Sequence, residues 1–331
     1  MKKFFAMTAL SACALFTAPA VLADNHGKSL QEITYLLPAP KTLTAFAPWL
    51  IADHQGYFAE EGLKVNFVAG KGGVDVAKQI GAGNAVIGGA IGDTPIIVRA
   101  NGIPVKAVAV LGAGSLTLVA SDEANPITKP AELKGKTISV MAYTDTTYYA
   151  LLGTLRKAGL TRNDAAIQAA GPAGVWQLFA SGKTDAMAGV PDWVVGARTA
   201  GKKVALMPAN ETFDSMAQAI LASDESIKNN PELIQKIVRA TLKGMNLIMT
   251  DTDKAVTAYV EANPAFKGKE AEVRQIMDLY NQYVYAKQPV LGKMDPDRLA
   301  KVQEFYVSEG IVSKASPLDE LYTNQFVGAG Q

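Results

Sequence analysis

Residues Ala45 to Val68 read AFAPWLIADHQGYFAEEGLKVNFV. Phe46, Trp49, Leu50, Ala52 and then Tyr57 and Phe58 recur at roughly helical spacing, Gly56 interrupts them, and Gly62 stands where a helix stops. Leu63 to Val68 then alternates and is rich in strand-forming side chains. Helix, tight turn and strand follow one another with almost no slack, which is one step of a layered α/β fold.

Outward from this stretch the alternation continues. Ile33 to Leu37 is a first strand, and Pro38 to Thr42 leads into the opening helix, with Thr42 or Thr44 as its expected cap. A glycine-rich turn, Gly70 to Gly73, precedes a helix through Ala77 and Ile80, and Ala85 to Gly89 is a short strand. Gly92-Asp93-Thr94-Pro95 opens the next helix, with Thr94 as cap, and Val105 to Leu111 is an all-apolar strand of the buried parallel type. A first crossover is expected at Gly112 to Gly114. Beyond it lie strands at Leu116–Ala120, Thr137–Met141, Ile167–Ala170, Asp185–Val190 and Val204–Met207, with helices between them. Gln218 to Ser223 returns the chain, and a second hinge is expected at Ala222 to Asp224. From Asn230-Pro231 onward the pattern is helical: one helix from Pro231, then Asp253–Ala262, Lys269–Ala286 and Pro296–Glu309, the last capped by Asp295. The expected architecture is two doubly wound α/β domains with parallel sheets. Residues 31–113 and 224–331 form domain 1, and 114–223 form domain 2.

The pieces Ala52-Asp53-His54-Gln55-Gly56-Tyr57-Phe58 and Glu61-Gly62-Leu63-Lys64-Val65 carry a resemblance. With them go Leu133-Lys134-Gly135-Lys136-Thr137-Ile138, Lys157-Ala158-Gly159-Leu160 and Gly182-Lys183-Thr184-Asp185-Ala186. In this order and spacing the chain resembles the solute-binding proteins of bacterial ABC importers in the nitrate, sulfonate/taurine and thiamine-precursor group. The resemblance implies a type II periplasmic-binding-protein fold with the C-terminal helices covering domain 1. It also implies a monomer that closes on a small-molecule solute, and a transporter permease with its ATPase as partner.

Composition agrees with a large buried core: 331 residues, 49% hydrophobic, 19% charged. The formal charge of +1 contains no run of like charges, so neither nucleic acid nor a polybasic membrane contact is expected. Two histidines and one cysteine leave little material for a metal site, and no cofactor is expected. Met1 to Ala23 has the form of a secretory signal: Lys2 and Lys3, an apolar run from Phe4 to Ala20, and Val21-Leu22-Ala23 as the cleavage site. The expected location is therefore the periplasm. Leu10-Ser11-Ala12-Cys13 resembles a lipobox, but the apolar run continues past Cys13, which favours simple cleavage near Ala23 over lipid anchoring. The mature chain then has no cysteine and no disulfide, so its core must supply the stability.

Gly70-Lys71-Gly72-Gly73 lacks the Lys-Ser/Thr ending of a phosphate loop and reads as a strand-to-helix turn. His26 lies near the start, and His54 reads as a surface residue. No glycine-flanked serine elbow is present, so nucleophilic hydrolysis is not expected. The binding reading uses the loops that follow strands, where ligands of open α/β sheets sit. Candidate ligand contacts there are Lys41, Thr42, Phe46, Trp49, Gly72, Asp93, Thr94, Tyr143, Thr144, Asp145, Thr146, Trp176, Asp192 and Trp193. The rings suggest an aromatic-lined pocket, and the carboxylates are either helix caps or partners for a donor on the solute. Lys41 and Lys71 leave a small anion such as an alkanesulfonate, taurine or nitrate as the alternative to an aromatic or nitrogen-heterocyclic solute. An enzyme on the same fold is a further alternative. The pyrimidine-forming relatives carry a cysteine-rich motif and a reactive histidine, and neither is present here. A sensor subunit would share the same sequence features.

Overall fold

The computed structural model describes residues 29–285 and 288–328. The secretory segment, Cys13 and His26 lie outside the described residues.

Ten strands follow in order: β1 (Gln31–Leu37), β2 (Leu63–Ala69), β3 (Ile87–Ile91), β4 (Val105–Val110), β5 (Leu118–Asp122), β6 (Thr137–Val140), β7 (Ala166–Ala169), β8 (Ala186–Gly189), β9 (Val204–Leu206) and β10 (Gln218–Ser223). They form two sheets of the same design, with orders β2-β1-β3-β10-β4 and β7-β6-β8-β5-β9. Neither sheet is wholly parallel, as the alternation had suggested. β10 runs antiparallel between β3 and β4, and β5 runs antiparallel between β8 and β9. Every residue of β10 is buried, because neighbours flank it on both sides and helices cover both faces. Its pairing places Gln218–Ser223 in the first sheet. The return crossing is therefore the segment 207–217, ahead of the expected Ala222–Asp224 boundary.

The helices between strands are α1 (Ala47–His54), the single turn α2 (Tyr57–Glu60), α3 (Gly73–Gly81), α4 (Thr94–Ala100), α5 (Thr146–Arg156), α6 (Gly171–Ala180) and α7 (Pro191–Thr199). After β10 come α8 (Asp224–Asn229), α9 (Pro231–Thr250), α10 (Thr252–Ala262), α11 (Glu270–Tyr280), α12 (Pro296–Ser308) and the short α13 (Leu318–Leu321). Asp295 caps α12 as expected, accepting from the Asp297 and Arg298 N–H groups. Neither Thr42 nor Thr44 caps the opening turn at Thr44–Phe46, which has Leu43 at that position and no side-chain cap. Asp93, not Thr94, precedes α4, and its carboxylate makes no cap bond.

α1 packs on α9 and α10, so the C-terminal helices do cover the first sheet. They also reach the second lobe, because α11 packs on α7. One hydrophobic cluster accordingly runs from Tyr35, Trp49 and Ile237 through to Val175, Phe179 and Trp193, while a smaller one fills the far side of the second sheet. Both crossings are held from the C-terminal side. Buried Arg298 donates to the carbonyls of Ala113 on one crossing and of Asp214 and Ser215 on the other, and the Ser115 and Ser215 hydroxyls meet at 2.6 Å. Among the described residues no helix is long and apolar enough to cross a membrane.

Candidate functional site

A cleft of about 660 Å³ lies between the two sheets. Its walls come from segments at the carboxyl ends of strands: Pro38–Pro40 after β1, Gly70–Val74 after β2, Gly89–Ile91 closing β3, Met141, Ala142 and Thr144–Thr147 after β6, Gly171 and Pro172 after β7, and Val190 and Trp193 after β8. Gln218, at the start of antiparallel β10, completes the floor. The size is that of a small-molecule site.

Each wall carries aromatic rings. Trp49 is bedded between Tyr35 and Phe46, with ring centres at 5.8 and 6.2 Å, and Phe46 and Trp49, both almost wholly buried, border the cleft. From the other lobe Trp193 lies over Gly189 so closely that a Cβ there would stand 2.3 Å from its ring. Gly72 turns the loop after β2 with φ +98°, a conformation that side chains disfavour. Gly73 and Gly89 let the cleft approach buried hydroxyls: a Cβ on Gly73 would lie 3.4 Å from Thr94 Oγ1, and one on Gly89 3.2 Å from Tyr35 OH.

Of the expected contacts, Phe46, Trp49, Gly72, Thr144, Asp145, Thr146 and Trp193 line the cleft. The structure places the other seven elsewhere. Lys41 borders a separate surface hollow with Asp53, His54 and Glu261. Thr42 offers its carbonyl to Tyr259 OH and Asn263 Nδ2. Tyr143 is exposed and donates its hydroxyl to Ile167 O at 3.0 Å. Trp176 packs on Gly196 of α7. Asp93 and Thr94 are wholly buried behind the wall, where Tyr306 OH donates to Asp93 Oδ2 at 2.9 Å. Asp192 crosses between lobes: it accepts from Ala45 N–H at 3.2 Å and from Tyr280 OH at 3.0 Å. The expectation left out Gln218, Met141, Val190, Lys78 and the Pro38–Pro40 loop as individual contacts. A polar residue opening an otherwise apolar strand was the one available sign for Gln218.

Electrostatics follow from these positions. Burial pushes Asp93 up to about 7 against the partial relief of the Tyr306 bond, and burial pushes Asp192 up to about 6, opposed by Tyr280 and the Ala45 N–H. Burial also raises Asp145, which caps α5 through Thr147 N–H at 2.9 Å. Three backbone N–H groups on the cleft rim are thus already held by carboxylates: Ala45 by Asp192, Lys71 by Asp75 at 2.9 Å, and Thr147 by Asp145. Buried polar atoms without partners lie here as well, namely Gln218 Oε1 on the wall and Asp93 Oδ1 and Thr94 Oγ1 beside it. His54 sits outside the cleft, 2.9 Å from Glu261. Among the described residues no group of three or more His, Cys, Asp or Glu is arranged to hold a metal ion.

Two lobes with matching mixed sheets, crossed twice by the chain and enclosing a cleft at their strand ends, define the type II periplasmic-binding-protein fold. Residues 43–255 match the family described as NMT1/THI5 like, and the chain belongs to it. It is similar to the riboflavin-binding protein RibY of Chloroflexus aurantiacus, 26% identical over 318 residues that cover 94% of this chain and 90% of that one. A 4-amino-5-hydroxymethyl-2-methylpyrimidine phosphate synthase of Saccharomyces cerevisiae, THI13, is 26% identical over 71% of this chain and 72% of its own length. Among solved structures, the alkanesulfonate-binding protein SsuA of Xanthomonas axonopodis superposes with a TM-score of 0.69 at 18% identity, covering 89% of this chain and 98% of SsuA.

Proposed function

We propose that this chain is an exported receptor that closes on an uncharged aromatic nitrogen heterocycle and presents it to the permease of an ABC importer. The observation that carries the solute class is the state of the rim N–H groups. An anion would need free donors at helix starts and loops, and the groups at Ala45, Lys71 and Thr147 already face fixed carboxylates that would also repel it. Rings from both lobes, Phe46 and Trp49 on one side and Trp193 on the other, suit a flat apolar body. The riboflavin-binding relative supports the same class. Binding then draws the lobes together because each supplies part of the contact surface.

Lys71 and Lys78 on the cleft favour a second reading, an anionic solute such as an alkanesulfonate. An enzymatic role finds less support, since His54, the one histidine among the described residues, lies outside the cleft. Thermal unfolding of the ligand-stripped mature chain against riboflavin, 4-amino-5-hydroxymethyl-2-methylpyrimidine, an alkanesulfonate and nitrate tests the proposal. A ligand at about 100 times its Kd adds roughly 2.7 kcal/mol. A melting shift with either heterocycle is expected. A shift only with the sulfonate or nitrate would replace the proposal by the second reading.

A further inference from the structure

Gln218 begins β10 where the chain re-enters the first sheet, and its backbone is held on two sides. It pairs with Ile91 of β3, and its carbonyl accepts from Leu111 N–H at 2.6 Å, at the end of the other crossing. The residue is 5% exposed and lines the cleft. Its Oε1 is buried without a hydrogen-bond partner. A buried amide oxygen without a partner is costly, so this position calls for a partner from outside the chain.

The chemistry of that partner follows from the side chain. A primary amide offers one acceptor and two donors side by side, and it does so whichever way its oxygen and nitrogen are assigned. Its complement is an edge with a donor and an acceptor on neighbouring positions, the arrangement that lets glutamine read a base in two bonds. A cyclic amide or imide, C(=O)–N–H, has such an edge, and so does a ring nitrogen beside an exocyclic amine. Sulfonate and nitrate carry acceptors only and leave Oε1 unpaired, as a plain hydrocarbon ring leaves both ends.

Resting on the receptor reading above, we propose that Gln218 is the specificity-determining residue of the cleft, reading a cyclic amide, imide or amidine edge of the heterocycle in a two-point contact. Because Gln218 stands at the meeting of both crossings, this contact places the recognised edge at the hinge and leaves the rest of the ring to Phe46, Trp49 and Trp193.

The test is a binding cycle. Probes are an isoalloxazine and its N3-methyl derivative, and a 4-aminopyrimidine and its 4-dimethylamino derivative. They are titrated into the wild type, Gln218→Met, which keeps the length without polar ends, and Gln218→Glu, which keeps an acceptor and loses the donor. Blocking the edge is expected to weaken wild-type binding about tenfold to a hundredfold. In Gln218→Met the blocked and unblocked probes should bind within about a factor of two of each other, and Gln218→Glu should lose the preference for the parent edge. If the wild type does not distinguish the two probes, or if either folded variant keeps the full wild-type ratio, the assignment to Gln218 is overturned while the receptor reading stands. If the wild type binds neither parent heterocycle, the receptor reading falls and takes this assignment with it.

Discussion

Two buried carboxylates sit at the two junctions between the lobes, and each accepts a hydrogen bond from a tyrosine of the C-terminal helices. Asp192 of α7 meets Tyr280 of α11, and Asp93, beside α4, meets Tyr306 of α12. They differ in how completely they are satisfied. Asp192 has a donor on each oxygen, one of them the Ala45 N–H of the opposite lobe, whereas Asp93 keeps Oδ1 bare. Burial raises both, but the better-served group only to about 6 and the half-served one to about 7. The crossing between lobes is polar at Asp192. At Asp93 it is indirect, through the Tyr306 ring resting against Tyr149 of α5 at 5.7 Å. One junction is therefore a directed latch, and the other is a packed contact with an unmet acceptor beneath it.

The largest expected effect comes from Arg298, which ties the two crossings together and is also the cation facing Asp93. Arg298→Met leaves several carbonyls of Ala113, Asp214 and Ser215 without their donor. A loss of about 3–5 kcal/mol in denaturant unfolding is expected, as for other broken buried charge networks. It should also raise the Asp93 titration further, readable by carboxyl NMR or infrared.

The tyrosines separate the junctions next. Tyr306→Phe leaves Asp93 with no side-chain donor and should cost about 1–3 kcal/mol at neutral pH. Tyr280→Phe leaves Asp192 its Ala45 donor and should cost about 0.5–1.5 kcal/mol, yet it should open the molecule, seen as a larger radius of gyration by X-ray scattering. Equal stability losses with no change of shape in either variant would erase the distinction between latch and packed contact.

The pH dependence has a definite sign. A carboxylate raised above its unfolded value binds protons more readily in the closed, folded form, so its contribution to stability is full below that unfolded value and lost as pH rises through the folded one. Melting temperature should therefore fall as pH climbs from about 4 to about 7, the Asp192 component levelling off near 6 and the Asp93 component near 7. Asp192→Asn should remove the first component and Asp93→Asn the second. The same linkage makes mild acid favour closure in the wild type, and in Asp192→Asn this effect on the scattering radius should disappear.

The order of strands and helices was legible because alternation, glycine stops and Asn-Pro or Asp-Pro helix starts are local signals. Gly56 and Gly62 both take φ +77°, as their places in the 45–68 stretch demand. The direction of β5 and β10 was not legible, since an apolar strand has the same side-chain pattern either way. In the cleft, position in a loop was readable but side-chain direction was not. Thr144 faces the cleft while its neighbour Tyr143 faces β7, and Pro172 lines the wall while Trp176, one turn on, packs against Gly196. From sequence alone Asp192 is a helix cap or a ligand contact. Its partners, 147 and 88 residues away in sequence, are supplied only by the packing of the folded chain.

The smallest expected effect concerns Asp145, a carboxylate whose bonds stay within its own lobe. It caps α5 by accepting from both the N–H and the hydroxyl of Thr147, at 2.9 and 2.5 Å. Asp145→Asn keeps a side-chain oxygen for the cap and removes only the charge, so stability should change by no more than a few tenths of a kcal/mol. The scattering radius should not move, in contrast to Tyr280→Phe. The variant also isolates repulsion by that rim charge from the occupation of the rim N–H groups. If repulsion by Asp145 alone excluded anions, Asp145→Asn would acquire affinity for an alkanesulfonate. If the occupied N–H groups exclude them, as the retained cap implies, it would not, and isothermal titration with the sulfonate reads the difference directly.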